Sequence, residues 1–166
     1  MQIVLNIISV LAFGISVYSL IHQIIKSKLN LKIELNHAVS NAVTPYWYYL
    51  DLDIINKSNN PISIYSIKIL INNNLISVQK EKDVLVTKTS RTGKTVTNVE
   101  HIYSQELPFE IQGYLTKSGK FILNLKEIQA KLSENHEYFL FIYTSRGKVK
   151  RKISIGNIIY DIKQLL

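Results

Sequence analysis

The chain has 166 residues, enough for one ordinary domain with an appendage. It contains no cysteine, which excludes disulfides, thiolate-bound zinc, iron–sulfur clusters and thiol catalysis. Its formal net charge is +8, from 20 Lys and Arg against 12 Asp and Glu, and every one of these residues lies beyond residue 25.

The uncharged N-terminal segment is MQIVLNIISVLAFGISVYSLIHQII, residues 1–25. A helix of ~20 apolar residues, at about 1.5 Å per residue, matches the ~30 Å hydrocarbon core of a bilayer. We therefore predict that residues 3–25 cross the lipid bilayer once, so that the chain divides into an anchor, residues 1–27, and a domain, residues 28–166. Two alternatives stay open. They are a signal peptide, although no basic segment or small-x-small site is present, and a buried helix of a soluble protein.

The charge around this segment bears on its orientation. Lys26, Lys28 and Lys32 follow the apolar run and no cation precedes it. The positive-inside rule then places the C-terminal domain in the cytoplasm of a single-pass cell-membrane protein. The opposite orientation stays open, because long domains translocate despite their charge.

Alternating apolar residues follow the anchor. Residues 29–35, LNLKIEL, and 46–55, YWYYLDLDII, place apolar side chains on one face, with Asp51 and Asp53 on the other. In ISIYSIKILI the alternation slips at Tyr65–Ser66, which indicates a bulge or a strand that changes sheets.

The second half of the chain is also rich in short strands. We predict a turn at Ser118–Gly119, a short helix over 125–132, a central strand over 137–144 and a short C-terminal helix over 157–166. Seven or more short strands with few helices predict an all-β fold, an antiparallel β-sandwich.

A polar segment, TKTSRTGKTVTN at 87–98, is predicted to be a loop or an exposed hairpin with Gly93 at its tip. Its Gly-Lys-Thr resembles the end of a phosphate-binding loop. That motif requires a glycine where this chain has Lys88, and a helix after Thr95, where the sequence is instead β-branched. We therefore expect no nucleotide site here.

Other catalytic patterns are equally weak. The four histidines, at 22, 37, 101 and 136, show no metal-binding spacing. Asp51 and Asp53 fit the solvated face of a strand better than a catalytic pair. We expect no enzyme activity, no catalytic residue, no metal, no cofactor and no small-molecule substrate.

Two basic segments are candidate contacts for an anionic lipid or a nucleic acid. Lysines at alternate positions of SRGKVKRK would project from one strand face, and they would equally protect an edge strand from pairing with another chain. Both interpretations stay open. The candidate residues are Arg146, Lys148, Lys150, Arg151 and Lys152, with Lys88, Arg91 and Lys94 in the polar segment.

An aromatic cluster, Tyr46, Trp47, Tyr48 and Tyr49, begins one predicted strand. Core packing together with an interfacial belt near the bilayer is the favoured interpretation, since aromatic residues suit both strands and interfaces. Contact with a ligand is the alternative.

Three segments carry a resemblance to a known group of proteins. LDLDIINKSNNPISIYSIKI contains N-x-S-x-x-P-I-x-I, LPFEIQGYLTKSGKFIL contains a proline, and FLFIYTSRGKVKRKISI contains T-x-R-G. Over residues 46–155 the chain resembles small Ig-like β-sandwich proteins of low-GC bacteria and their phages. Many of these have one N-terminal membrane anchor, and some prophage-encoded members block incoming phage DNA in superinfection exclusion. The resemblance implies an Ig-like fold and provides no catalytic residue.

These patterns predict a membrane-tethered module that binds a partner, most simply a protein, in phage exclusion or envelope defence. The alternative function is a module on the cytoplasmic face that binds nucleic acid or another anionic ligand through its basic hairpins.

Overall fold

The computed structural model describes residues 2–40, 44, 46–93 and 95–160. These residues form one helix, α1, and a set of strands. Their bounds are α1 Gln2–Ser27, β1 Leu31–Ser40, β2 Trp47–Asn56, β3 Ile62–Ile71, β4 Asn74–Ser77, β5 Val84–Thr92, β6 Thr95–Tyr103, β7 Phe109–Ile111, β8 Thr116–Asn124, β9 His136–Thr144, β10 Gly147–Ile155 and β11 Ile158–Ile159.

Helix α1 is apolar and lies outside the folded core. Its stretch Ile8–Ser27 has a mean hydropathy of 1.8, and none of that stretch is buried against the rest of the chain. The helix is therefore long and apolar enough to cross a membrane, as the sequence predicts. Lys26, its first charged residue, lies in its last turn.

Most of the remaining chain folds into two sheets that face one another. One has the strand order β11-β1-β2-β8, and the other has the order β10-β9-β3-β4 with β7 beside β3. The main apolar core lies between them, and it takes side chains from both sheets. A smaller cluster around Val39, Tyr49 and Ile122 packs separately from it. Leu50, Leu52 and Ile54 point into this core, which confirms the alternation predicted for β2. A predominantly β fold is likewise confirmed.

Two local features of the strands were predicted. The alternation slip in β3 is a bulge, since the pairing of β3 with β9 shifts register between Ile64 and Ser66. The polar segment forms an exposed hairpin, in which β5 and β6 pair only with each other and Gly93, with φ at 63°, lies at the turn.

Two predictions for the second half of the chain are wrong. Residues 125–132 form a turn at 126–129 and irregular chain around it, not a helix, because Leu125, Ala130 and Leu132 are all buried in the core and Gln129 has a φ of 47°. Ser118 and Gly119 lie within β8, not at a turn. Glycine is required at 119 because a Cβ there would lie 2.8 Å from the Cβ of Gln105.

The predicted C-terminal helix is also wrong where it can be compared. Ile158 and Ile159 form β11, which pairs in parallel with Ala38 and Val39 of β1. The backbone N–H of Ile158 donates to Oε1 of Glu134 at 3.0 Å, and this bond fixes the strand at the sheet edge. Residues 161–166 of the predicted helix lie outside the described residues.

The two-sheet body has a helix-proximal end and a distal end. At the helix-proximal end, the turn between β2 and β3 contacts α1 directly, because Asn59 N–H donates to the carbonyl oxygen of Lys26 at 3.2 Å. The β9–β10 turn and the 112–115 loop lie at this same end. The β3–β4 turn at 72–73 and the loop after β8 lie at the distal end.

Candidate interaction surface

Strand β9 carries a row of aromatic rings on the outer face of its sheet. Its other face is buried, with Leu140 and Ile142 fully enclosed in the core. Phe139, Phe141 and Tyr143 alternate with those residues and point outward, and Phe139 is 38% exposed. A strand that is apolar on both faces was predicted here, and β9 does lie between β10 and β3.

Lysines from the two neighbouring strands cover these rings. The Nζ of Lys150 lies 3.9 Å from the centroid of Phe139, and that of Lys148 lies 4.4 Å from the centroid of Phe141. Lys68 approaches from β3, at 5.5 Å from the Tyr143 ring. An ammonium over a ring face is attracted by the ring quadrupole. These residues define the lysine–aromatic face: Lys68, Phe139, Phe141, Tyr143, Lys148 and Lys150.

The other three predicted cations of this hairpin each have a partner within the protein. Lys152 forms an ion pair with Glu137 across the β9–β10 ladder. Arg151 Nε donates to the carbonyl oxygen of Leu31 at 2.9 Å, so it fastens β10 to β1. These interactions hold β10 against its neighbours, so its cations contribute to the fold as well as to the positive charge of the surface.

Arg146 joins the helix to the sheets. Its Nη2 donates to the carbonyl oxygen of Ser27, the last residue of α1, and its Nη1 donates to Ser58 Oγ at 3.4 Å. The side chain is half-buried. Because both terminal guanidinium nitrogens are used, Arg146 is a clamp at the helix-proximal end and not a free contact residue.

The β5–β6 hairpin presents its cations differently. Arg91 is exposed near the tip, and Lys88 lies opposite Glu100 in the antiparallel register. Lys94 lies outside the described residues. A strand, not a helix, follows the Gly-Lys-Thr sequence, so the geometry of a phosphate-binding loop is missing.

The aromatic cluster lies at the distal end of the body. Tyr48 and Tyr49 are buried, and Trp47 and Tyr46 are half-buried, so most of the cluster packs inside the protein. Burial raises the pKa of Tyr48, whose hydroxyl oxygen accepts a hydrogen bond from Leu132 N–H at 3.3 Å. Strand β2 separates the cluster from the helix-proximal end, so the interfacial-belt interpretation does not fit its position.

The two aspartates of β2 have separate partners. Asp51 accepts a hydrogen bond from Lys120 Nζ at 3.0 Å. Hydrogen bonds from the Ser118 and Asn36 side chains lower the pKa of Asp53. Neither carboxylate is positioned as half of a catalytic pair. Among the described residues, no group of three or more His, Cys, Asp or Glu side chains could hold a metal ion.

A buried polar cluster was missed by the sequence analysis. Asn56 and Ser58 are buried in the β2–β3 turn, where Asn56 Oδ1 accepts hydrogen bonds from Ser58 N–H and Oγ–H. Asn56 Nδ2 donates to the carbonyl oxygen of Asn60 at 2.8 Å, and it approaches those of Ile111 and Gln112. The N-x-S spacing was visible in the sequence, but burial of the two side chains was not.

No protein-family model matches the chain, and no curated protein matches it significantly. Similar solved structures include the β-glucosidase of Listeria innocua in complex with glucose, at a TM-score of 0.29 and 14% identity, covering 79% of this chain and 16% of that chain. They also include the alkylpurine DNA glycosylase of Pseudomonas fluorescens bound to DNA with an abasic site analog, at 0.32 and 9%, covering 76% and 31%. The chain thus spans less than a third of either protein. Scores this low give no information about function.

Proposed function

We propose that the protein is a single-pass membrane protein whose C-terminal Ig-like β-sandwich binds a partner and catalyses no reaction. The observation that carries this proposal is the exposed apolar helix α1, which is joined by hydrogen bonds to a separately packed β body. An exposed helix of this length has no stable place in water, whereas a bilayer satisfies both its apolar side chains and its backbone.

The lysine–aromatic face supports binding as the role of the sandwich. Its lysines, together with Lys152, outnumber the single acidic residue paired with them, Glu137. A flat face of this kind is complementary to an acidic patch on another protein. Because the ammonium groups of Lys148 and Lys150 already lie over the rings, unpaired bases cannot stack there without displacing them. This favours an acidic protein surface over a single-stranded nucleic acid.

The alternative function, binding of a nucleic acid or another anionic ligand, is supported by the exposed cations of the two hairpins. Arg91, Lys148 and Lys150 are all exposed. Contacts to phosphate require charge and not ring stacking, so the covered rings do not oppose them.

The resemblance to exclusion proteins gives the proposal a biological setting. In that setting the sandwich, on the cytoplasmic side according to the distribution of lysines, binds a protein at the membrane and so blocks incoming phage DNA. Expression of the chain in a phage-sensitive bacterium should then reduce plaque formation without reducing phage adsorption. Unchanged plaque counts across a phage panel would contradict the exclusion role, whereas the proposed binding role would still stand.

The anchor is tested by alkaline carbonate extraction. The full chain should stay in the membrane pellet, whereas a chain that begins at Lys28 should be released as a soluble β protein by circular dichroism. Release of the full chain by carbonate would contradict the anchor.

The binding face is tested by replacing Lys148, Lys150 and Lys152 with Gln. A matched control replaces Lys80, Lys126 and Lys131, which are exposed elsewhere, and so makes the same change in net charge. Binding to poly-glutamate, to a single-stranded oligonucleotide and to anionic vesicles is measured across a salt series, with sedimentation in parallel. If the face binds anions, only the first variant loses affinity and salt dependence. If the lysines only protect the β10 edge, that variant self-associates while its binding is unchanged.

A further inference from the structure

The loop at residues 112–115 lies directly beside the end of α1. Tyr114 N–H donates to the carbonyl oxygen of Ser58 at 3.1 Å, and the next residue, Asn59, donates its N–H to the carbonyl oxygen of Lys26 at 3.2 Å. Two neighbouring residues of one turn therefore connect the loop to the last turn of the helix. Backbone hydrogen bonds therefore fix the position of the loop relative to α1, and the Arg146 clamp reinforces them.

The same loop is also held rigidly by contacts with the β2–β3 turn. A Cβ on Gly113 would lie 2.2 Å from the carbonyl oxygen of Asn59, so only glycine allows the loop to approach this closely. The carbonyl oxygen of Leu115 accepts a hydrogen bond from Asn56 N–H at 2.9 Å. The buried Asn56 side chain also approaches the carbonyl oxygens of Ile111 and Gln112. These contacts leave the loop little freedom to retract.

Two large side chains project from this rigid loop into open space. Tyr114 is 58% exposed and Leu115 is 55% exposed. Tyr114 also has a φ of 58°, a conformation that non-glycine residues seldom adopt. Beside the end of an apolar helix, adjacent exposed Tyr and Leu side chains are what the interface between headgroups and hydrocarbon favours.

The charge around the loop is largely positive. Lys26, Lys28 and Lys57 are exposed close to the helix exit. Glu110 is the acidic residue next to the loop, and it accepts a hydrogen bond from the Gln112 side-chain amide. A basic surface next to a bilayer is attracted to anionic headgroups. We call residues 112–115 with these three lysines the membrane-facing platform.

We propose that the membrane-facing platform docks onto the headgroup region of an anionic lipid bilayer, with Tyr114 and Leu115 inserted at its boundary with the hydrocarbon. The inference rests on the proposed function, in which α1 spans the membrane. Lys26 then marks the edge of the hydrocarbon, and each headgroup region extends roughly 5 to 8 Å beyond it. The loop is connected to Lys26 through only two residues, Ser58 and Asn59, and so lies within that layer. Docking fixes the orientation of the sandwich. Its lysine–aromatic face is then perpendicular to the membrane plane and accessible to a partner.

The test uses the full chain, reconstituted in vesicles of phosphatidylcholine with phosphatidylglycerol. The chain has no cysteine, so Leu115→Cys introduces one labelling site for an environment-sensitive fluorophore. Leu75→Cys is the matched control. It replaces an exposed leucine of β4 that pairs with Leu70 near the distal end of β3, a strand of 10 residues, and so lies ~30 Å from the platform. Quenching by brominated lipid and by aqueous iodide is measured for both labels.

We expect lipid quenching at position 115 to be severalfold that at position 75, with iodide quenching in the reverse order. Replacing phosphatidylglycerol by phosphatidylcholine should reduce the lipid quenching at 115. Equal lipid quenching at both positions, in a chain that still resists carbonate extraction, would overturn docking but leave the anchor intact. A label at 115 that is shielded from iodide without lipid quenching would also overturn it, because a protein surface would then cover the loop. Release of the full chain by carbonate would overturn the anchor and, with it, this inference.

Discussion

Two hairpins of this chain have the same basic, alternating composition and very different surroundings. In β9–β10, each predicted cation contacts another part of the protein: a ring, a carboxylate or a backbone carbonyl. In β5–β6, the two strands pair only with each other, and apolar residues such as Val96 and Val99 are about half exposed. An isolated two-stranded hairpin is at best marginally stable in water.

The difference shows that net charge along a strand does not indicate how strongly that strand is held. The lysines of β10 lie over rings supplied by β9, and those rings belong to a strand whose opposite face is core. In β5–β6, by contrast, Arg91 is exposed near the tip, whereas Leu85 at the base of the hairpin packs against Val39, Tyr49 and Ile122 of the other sheet. We therefore expect substitutions in the first hairpin to change the free energy of unfolding and equivalent substitutions in the second to leave it nearly unchanged.

The largest effect is expected from Leu140→Ala in β9. Leu140 is fully buried between the sheets, so its truncation should lower the free energy of unfolding by about 2 to 5 kcal/mol. Val99→Ala in β6 is the control, since Val99 is 48% exposed, and it should cost less than about 0.5 kcal/mol. Chemical denaturation in detergent, followed by the fluorescence of the single tryptophan, Trp47, measures both. Equal losses would show that the β5–β6 hairpin is packed as firmly as the core.

A smaller effect is expected from Arg146→Ala, which removes the clamp between Ser27 and the β2–β3 turn. Charge-assisted hydrogen bonds contribute about 1.5 to 3 kcal/mol, and half-burial of the side chain favours the lower end of that range. Arg146→Lys should not restore stability, because one ammonium cannot reproduce the fork of the guanidinium. Arg91→Ala, in the exposed hairpin, is the control and should be nearly neutral. Full rescue by lysine would contradict the clamp geometry.

A third, smaller effect concerns the lysines over the rings. Lys150→Gln should lower the free energy of unfolding by about 0.5 to 1 kcal/mol, the usual range for an exposed cation over a ring. Lys150→Met separates the contribution of the charge from that of side-chain packing, since methionine keeps contact with Phe139 but carries no charge. Lys88→Gln in β5 is the control for loss of a strand lysine. If both lysine-to-glutamine variants match the parent chain, the cations over the rings contribute no stability.

The sequence predicted those features that depend on neighbours along the chain. The apolar run of α1, the inward Leu50, Leu52 and Ile54, and the bulge in β3 all leave a local pattern. The helix predicted over 125–132 was wrong because the spacing of the apolar residues there also suits a loop that buries them in the core one by one. The rings beneath Lys148 and Lys150 could not be assigned, since they depend on the register between β9 and β10. For the same reason, Arg146 was predicted as a contact residue although it binds Ser27, which is far away in sequence.

The smallest expected effect concerns an acidic residue of the two-sheet body, Asp53. Hydrogen bonds from Ser118 and Asn36 lower the pKa of Asp53 in the folded protein. A carboxyl group with a lowered folded-state pKa stabilises the fold at pH values above its ordinary pKa. That stabilisation is lost as the pH falls from the ordinary value through the folded-state value. Asp53→Asn should therefore flatten the acid limb of a plot of denaturation midpoint against pH.

The variants of its partners make the Asp53 prediction specific. Ser118→Ala removes one of the two hydrogen bonds and should flatten the same limb by a smaller amount. Ser77→Ala, an exposed serine on β4 in the other sheet, controls for loss of a strand hydroxyl and should leave the limb unchanged. The three variants and the parent chain are compared by midpoints measured from neutral pH down into the acid range. An acid limb that is equally steep in the parent and in Asp53→Asn would mean that another carboxylate dominates acid unfolding. The pH response of the two-sheet body would then originate away from the β2–β8 ladder, although the register of that ladder places Asp53 directly opposite Ser118.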